Sequence, residues 1–115
     1  MKQGEIWLIN LDPTVGAEIK KTRPVVVVND NALGKLPLKV IVPITDWKTR
    51  YEKAPWMIRL APRQENGLDK TSTADAFQIR SVSQVRFVRK LGVLREKEMD
   101  EIRHALAKVL SIDVE

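Results

Sequence analysis

The sequence predicts a mainly β protein, a small and strongly bent antiparallel sheet or open barrel with one C-terminal helix over a face. Three observations predict it. Short apolar or alternating segments recur over the first ninety residues, separated by tight connections containing Pro, Gly, Asn and Asp. Four consecutive valines, Val25 to Val28, demand a buried strand. Only near the end, from Arg95 to Leu110, does the apolar period become helical.

Taken in order, Glu5 to Leu11 mixes apolar and polar residues as a half-exposed strand does, and Asp12-Pro13 ends it. Thr14 to Thr22 is a loop, with Gly16 free to adopt an unusual backbone angle. Pro24 to Val28 is the buried strand and Asn29 to Gly34 is turn chemistry. Leu38 to Ile44 forms the next strand. Because Pro43 cannot donate to a ladder, the sheet is expected to loosen there and release Thr45, Asp46 and Trp47 into a loop. Trp56 to Leu60 is a short strand, and Ala61 to Lys70, with Pro62 and Gly67, is a turn-rich connection. Thr71 to Ile79 reads as a further strand and Gln84 to Val88 as the last. In the helix, Met99, Ile102, Leu106 and Val109 or Leu110 share one face. No Ser, Thr, Asp or Asn stands at Leu94 or Arg95 to cap it, although Glu96 and Glu98 suit its positive start.

The 115 residues fit one domain with one core, expected to span 1–115. At 43% hydrophobic and 30% charged, the composition is that of a globular rather than a disordered chain. No apolar run approaches the roughly 20 residues of a membrane span, and Met1-Lys2-Gln3-Gly4 lacks a signal peptide's apolar stretch, so a cytoplasmic location is expected. The absence of cysteine excludes disulfides and thiolate metal sites. A net charge of +5 and a pI near 9.7 suit a polyanionic partner, nucleic acid or an acidic protein segment, or else a merely solvated basic surface.

The residue inventory narrows the chemistry. His104, the single histidine, lies beside the apolar stripe of the helix and is expected to be a partly buried helix residue rather than a catalyst. A histidine-pair ribonuclease mechanism and a Ser-His-Asp triad are thereby disfavoured. The acidic residues are scattered without Cys/His ligand spacing, so no metal or other cofactor is expected, and the five glycines are isolated rather than forming a phosphate loop. What remains is Arg, Thr, Asp and Glu near loops. That set suits a reaction in which the substrate supplies its own nucleophile and the protein stabilises charge on phosphate. Cleavage of RNA by its own 2′-hydroxyl is of this kind, and a guanidinium's planar fork of donors matches phosphate oxygens.

Several blocks carry a resemblance: Gly4-Glu5-Ile6-Trp7, Asp12-Pro13-Thr14-Val15-Gly16-Ala17-Glu18, Thr22-Arg23-Pro24-Val25-Val26-Val27 with Asn29-Asp30, then Pro43-Ile44-Thr45 and Gln78-Ile79-Arg80-Ser81. In these the chain resembles the MazF/PemK toxin endoribonucleases of bacterial type II toxin–antitoxin systems. The resemblance covers nearly the whole chain. It implies an SH3-like open barrel of the MazF/PemK/CcdB kind with a C-terminal helix. It implies a homodimer that cuts single-stranded mRNA at a short sequence without metal, leaving 2′,3′-cyclic phosphate and 5′-hydroxyl ends and arresting growth. It also implies an antitoxin with a flexible, often acidic tail, which would account for the basic charge a second time.

Carried over by position, the resemblance implies that Arg23 stabilises the phosphate or protonates the leaving group, and that Thr45 contacts the scissile phosphate. The other readings are an arginine bracing its loop and a threonine bonding its own backbone. Glu18, Lys20, Lys21 and Gln78 are candidate RNA contacts, and Trp47 with Lys48, beside Tyr51, Arg50 and Lys53, suits stacking and phosphate binding. Trp7 and Trp56 are expected in the core or a dimer interface. One departure stands out: where many family members carry an acid before the glutamine, this chain has Phe77. Strand alternation would put Asp75 on the same face as position 77, making Asp75 the candidate replacement. Two other readings stay open, a catalytically inactive RNA- or antitoxin-binding relative and a gyrase-inhibiting toxin on the same fold. The second is disfavoured because no tryptophan lies near the C-terminus.

Overall fold

The computed structural model describes residues 1–10 and 22–113. Of the loop expected from Thr14 to Thr22, residues 14–21, with Gly16 and the candidate contacts Glu18, Lys20 and Lys21, lie outside the described residues, and Thr22 belongs to a strand instead. The described residues form seven strands and one helix: β1 Glu5–Asn10, β2 Thr22–Val27, β3 Leu38–Asp46, β4 Met57–Leu60, β5 Ser72–Asp75, β6 Arg80–Ser83, β7 Phe87–Val93 and α1 Glu96–Leu110. Every pairing is antiparallel, in the order β4-β5-β3-β2-β1-β7, with β6 also on β3. The expected class, a mainly antiparallel sheet with one C-terminal helix, is the class observed.

The valine run is buried on both faces, because the sheet curls around β2. Val26 packs with Ile6, Val42, Ile44, Leu60 and Ala74 against Met99 and Ile102 of α1. Val25 points the other way, into a second cluster with Ile9, Ile41 and Val82, over which Trp7 and Phe87 pack edge-on. A β-branched run of this length is what a strand with a core on either side requires.

Pro43 does not end its strand. β3 continues to Asp46, so Thr45 and Asp46 lie in the sheet and only Trp47 enters the following connection. The reason is a change of neighbour. On one side of β3, residues 38–41 pair with β6 and residues 44–46 pair with β5. Pro43 falls in the two-residue gap between them, where the missing donor costs no ladder bond on that side.

The expected strand Thr71 to Ile79 stops at Asp75. Ala76–Gln78 is a single 3₁₀ turn, capped by the Asp75 carboxylate, which accepts from the Phe77 backbone N–H at 3.1 Å. The period-two argument that put residues 75 and 77 on one face therefore fails, and Phe77 instead projects outward. Gln84 to Val88 is likewise divided. Gln84–Arg86 is a 3₁₀ turn, β6 precedes it, and the last strand runs from Phe87 to Val93.

α1 buries Met99, Ile102, Ala105 and Ala107, while Leu110 is exposed. Without a hydroxyl or carboxamide cap, its start uses the third helical residue: the buried Glu98 carboxylate accepts from the Arg95 backbone N–H at 3.1 Å and from Arg63 Nη1 at 2.6 Å. The turn preceding β5 is held to β7 by close backbone approach. Val93 N–H donates to the Glu65 carbonyl at 2.9 Å, and a Cβ on Gly92 would lie 2.3 Å from that same oxygen. Gly92→Ala is expected to lower stability by about 2–3 kcal/mol, since backbone rather than a flexible side chain must yield; urea unfolding measures it.

Glu5 joins β1 to β7. Its carboxylate accepts from the Trp7 indole N–H at 2.9 Å and pairs with Lys90 Nζ at 3.2 Å. Burial opposes its ionisation, but the bonds from Trp7, Lys2 and Lys90 outweigh that and hold it below its ordinary value near 4.5. A depressed acid stabilises the fold above its unfolded value and loses that contribution as pH falls through the lower folded one. The melting temperature is expected to fall below about pH 4.5 with a component that Glu5→Gln removes.

Candidate active site

The two-residue gap beside β3 opens into a cavity of about 390 Å³ lined by Arg23, Pro43, Ile44, Thr45, Tyr51, Met57, Asp75, Gln78 and Arg80. Four of the residues singled out in the sequence, Arg23, Thr45, Asp75 and Gln78, thus meet at one place from four elements. Arg23 reaches it from β2, where its backbone pairs with Ile9 and its side chain is exposed. The adjoining Pro24 and buried valines make that backbone stiff. Thr45 is half-buried and held in register opposite Thr73, so its orientation is set by a ladder rather than by a loop.

Asp75 and Gln78 arrive as a unit. Asp75 is buried, and its second oxygen accepts from Gln78 Nε2 at 2.9 Å while the first caps the turn. Both carboxylate oxygens are therefore engaged, and the amide of Gln78 is oriented by the acid. Against this one engaged carboxylate stand two guanidinium groups, Arg23 and Arg80. The lining carries more positive than negative charge, with hydroxyl and amide groups beside it, a set suited to a phosphodiester. Arg80 escaped assignment as a site residue although it belongs to the quoted Gln78-Ile79-Arg80-Ser81 block; its position two residues past a turn shows only once β6 is paired with β3.

Residues 2–110 match the family described as the PemK-like, MazF-like toxin of type II toxin–antitoxin systems. The chain belongs to this toxin family. Endoribonuclease MazF of Staphylococcus saprophyticus is 30% identical over 106 residues, covering 92% of this chain and 88% of that protein. Endoribonuclease PemK of Escherichia coli is 32% identical over 113 residues, covering 96% and 83%. A MazE–MazF crystal structure from Deinococcus radiodurans superposes with a TM-score of 0.79 at 22% identity, over 98% of this chain and 97% of that one, a likeness of fold.

In this MazF/PemK-like toxin Trp47 and Lys48 stand at one remove from the cavity. The Trp47 ring meets Tyr51 edge-on at 6.0 Å and carries the Arg59 guanidinium 5.3 Å from its centroid, while Lys48 is exposed before the turn Thr49–Lys53. Tyr51 links them to the cavity it lines. His104 is exposed on α1, its Nδ1 2.8 Å from the Asp100 carbonyl, rather than partly buried as expected; at that position the helix turns it away from the apolar stripe. Trp7 joins the second core cluster, whereas Trp56 is over one third exposed and lies outside both clusters. No helix among the described residues is long and apolar enough to cross a membrane.

Proposed function

We propose that the chain is a toxin endoribonuclease that cuts single-stranded mRNA at a short sequence without metal, by attack of the 2′-hydroxyl on the adjacent phosphate. The observation that carries the reading is the meeting of Arg23, Thr45, Asp75 and Gln78 around one cationic cavity in a chain of this family. In the reaction the 2′-oxygen bonds to phosphorus and the bond to the 5′-oxygen breaks. The products are a 2′,3′-cyclic phosphate and a 5′-hydroxyl, with the 2′ proton passing to solvent water and one gained by the leaving oxygen. Arg23 stabilises the charge that builds on the phosphate oxygens or supplies that proton, and Arg80 adds a second cation. Thr45 donates its hydroxyl to the same phosphate. Asp75 acts through Gln78, fixing an amide that contacts RNA, and so takes over part of what an acid at position 77 would do. Glu18, Lys20, Lys21, Trp47 and Lys48 extend the RNA contact.

The protein so read works in the bacterial cytoplasm as a homodimer and is neutralised by an antitoxin with an acidic tail, in keeping with the +5 charge. The test is incubation of the purified protein with a long RNA in EDTA. Discrete cuts bearing 5′-hydroxyl ends are the expected result; intact RNA would overturn it and leave the inactive-relative reading. Asp75→Asn is expected to reduce kcat/KM about 10- to 100-fold, because the new amide sets an N–H against a donor that Asp75 now accepts from. A folded variant that cleaves and arrests growth as the wild type does would remove Asp75 from the mechanism.

A further inference from the structure

Beside the cavity lies an aromatic surface that neither core nor sheet uses. Phe77 is 66% exposed and Trp56 38%, and their rings pack edge-to-face at 6.1 Å with an interplanar angle of 60°. Isolated exposed apolar residues are ordinary, but two large rings packed together and left facing solvent are not. Their placement is also built. Asp75 accepts from the Phe77 backbone N–H, and the Trp56 carbonyl accepts from the Ala76 N–H at 2.9 Å, so the one turn that presents Gln78 to the cavity presents Phe77 outward beside it. Guanidinium groups stand on the cavity side, in Arg23 and Arg80.

A rigid aromatic face next to a cationic phosphate site is what a single-stranded nucleic acid reads by stacking. Phosphates sit on the cations and an unstacked base lies on the ring. We propose that Phe77, braced by Trp56, is the stacking platform for a base of the RNA substrate flanking the scissile phosphate, and so a specificity-determining residue. The proposal rests on the ribonuclease reading of the adjoining cavity. It also gives the departure at position 77 a meaning, since a ring there adds a stacking surface that an acid lacks.

The experiment measures binding and cleavage separately. Short mixed-sequence single-stranded RNAs bearing 2′-O-methyl groups throughout cannot undergo 2′-attack, so their affinity reports contact alone. Phe77→Ala is expected to weaken their binding roughly 5- to 150-fold, the range for loss of one stacked base, and Phe77→Tyr to restore it. RNA binding is expected to quench tryptophan emission, a change that Trp56→Phe diminishes. On cleavable RNA, Phe77→Ala raises KM with kcat nearly unchanged, and an abasic nucleotide at one position flanking the cut weakens the wild type but not the variant. Unchanged affinity and unchanged KM in a folded Phe77→Ala protein overturn the platform even where the wild type cleaves RNA. A variant that keeps its RNA affinity but no longer self-associates overturns it in favour of a second copy of the chain. Loss of affinity in Phe77→Ala when the wild type binds but does not cut supports the platform while the cleavage reading fails.

Discussion

Arg23→Ala is expected to lower kcat for RNA cleavage about 100- to 1,000-fold, or about 3–4 kcal/mol of transition-state stabilisation, the scale of removing one positioned donor from a developing oxyanion. The side chain is exposed, while its backbone pairing with Ile9 survives any substitution except proline. The melting temperature should therefore be nearly that of the wild type, and the loss confined to catalysis. Arg23→Lys should fall between the two. It keeps the charge, but a single ammonium cannot span two phosphate oxygens as the guanidinium fork does. Counting 5′-hydroxyl ends per unit time on one RNA separates the three proteins. A folded alanine variant with wild-type turnover would leave Arg23 as a brace for its strand and shift the burden to Arg80.

The largest effect on stability is expected at Asn66, a residue with no part in the chemistry. It is fully buried in the connection between β4 and β5. Its amide nitrogen donates to the Ala61 carbonyl at 2.9 Å, and its oxygen accepts from the backbone N–H groups of Arg63 and Leu68, each at 3.0 Å. One side chain thus closes the turn three times. Asn66→Ala is expected to cost about 2–4 kcal/mol, at about 1 kcal/mol for each bond lost plus a small void. For a domain of this size that lowers the melting temperature by roughly 10–20 °C. The consequence for function is indirect. The same turn abuts Gly92 of β7 and leads into Ser72, the first residue of the strand that ends in Asp75. A loosened turn lets that strand's register slip, so residual activity in the variant should fall more steeply with temperature than in the wild type. Calorimetry and cleavage assays at two temperatures measure both.

Much of the fold is legible in local chemistry. Val25 to Val28 announces a strand with a core on each side, and Met99, Ile102 and Leu106 announce a helix with one packed face. Those signals are strong because burial of a β-branched run or a helical stripe is favoured in almost any tertiary setting. The errors lie where a neighbour decides the outcome. Pro43 reads as a strand terminator, yet it sits in the gap where β6 gives way to β5, a place that no local pattern marks. Phe77 reads as part of a strand because Thr71 to Ile79 has no breaker, whereas the Asp75 carboxylate captures the Phe77 N–H and turns the chain. An Asx-type cap competes with a ladder through one hydrogen bond, and which of them wins depends on whether a partner strand is present.

The order of amino acids is enough to establish the fold class, the basic charge, the poverty of histidine and cysteine that narrows the chemistry, and the blocks that tie the chain to its family. These are properties of residue type and spacing, and they survive without knowledge of any contact. The tertiary structure alone decided that Arg23, Thr45, Asp75 and Gln78 share a cavity, that Arg80 joins them, that Asp75 bonds Gln78, and that Phe77 faces solvent beside Trp56. Such facts depend on strand order and register between segments up to fifty-seven residues apart, from Arg23 to Arg80. Register is set by the summed packing of two cores, so no single segment encodes it.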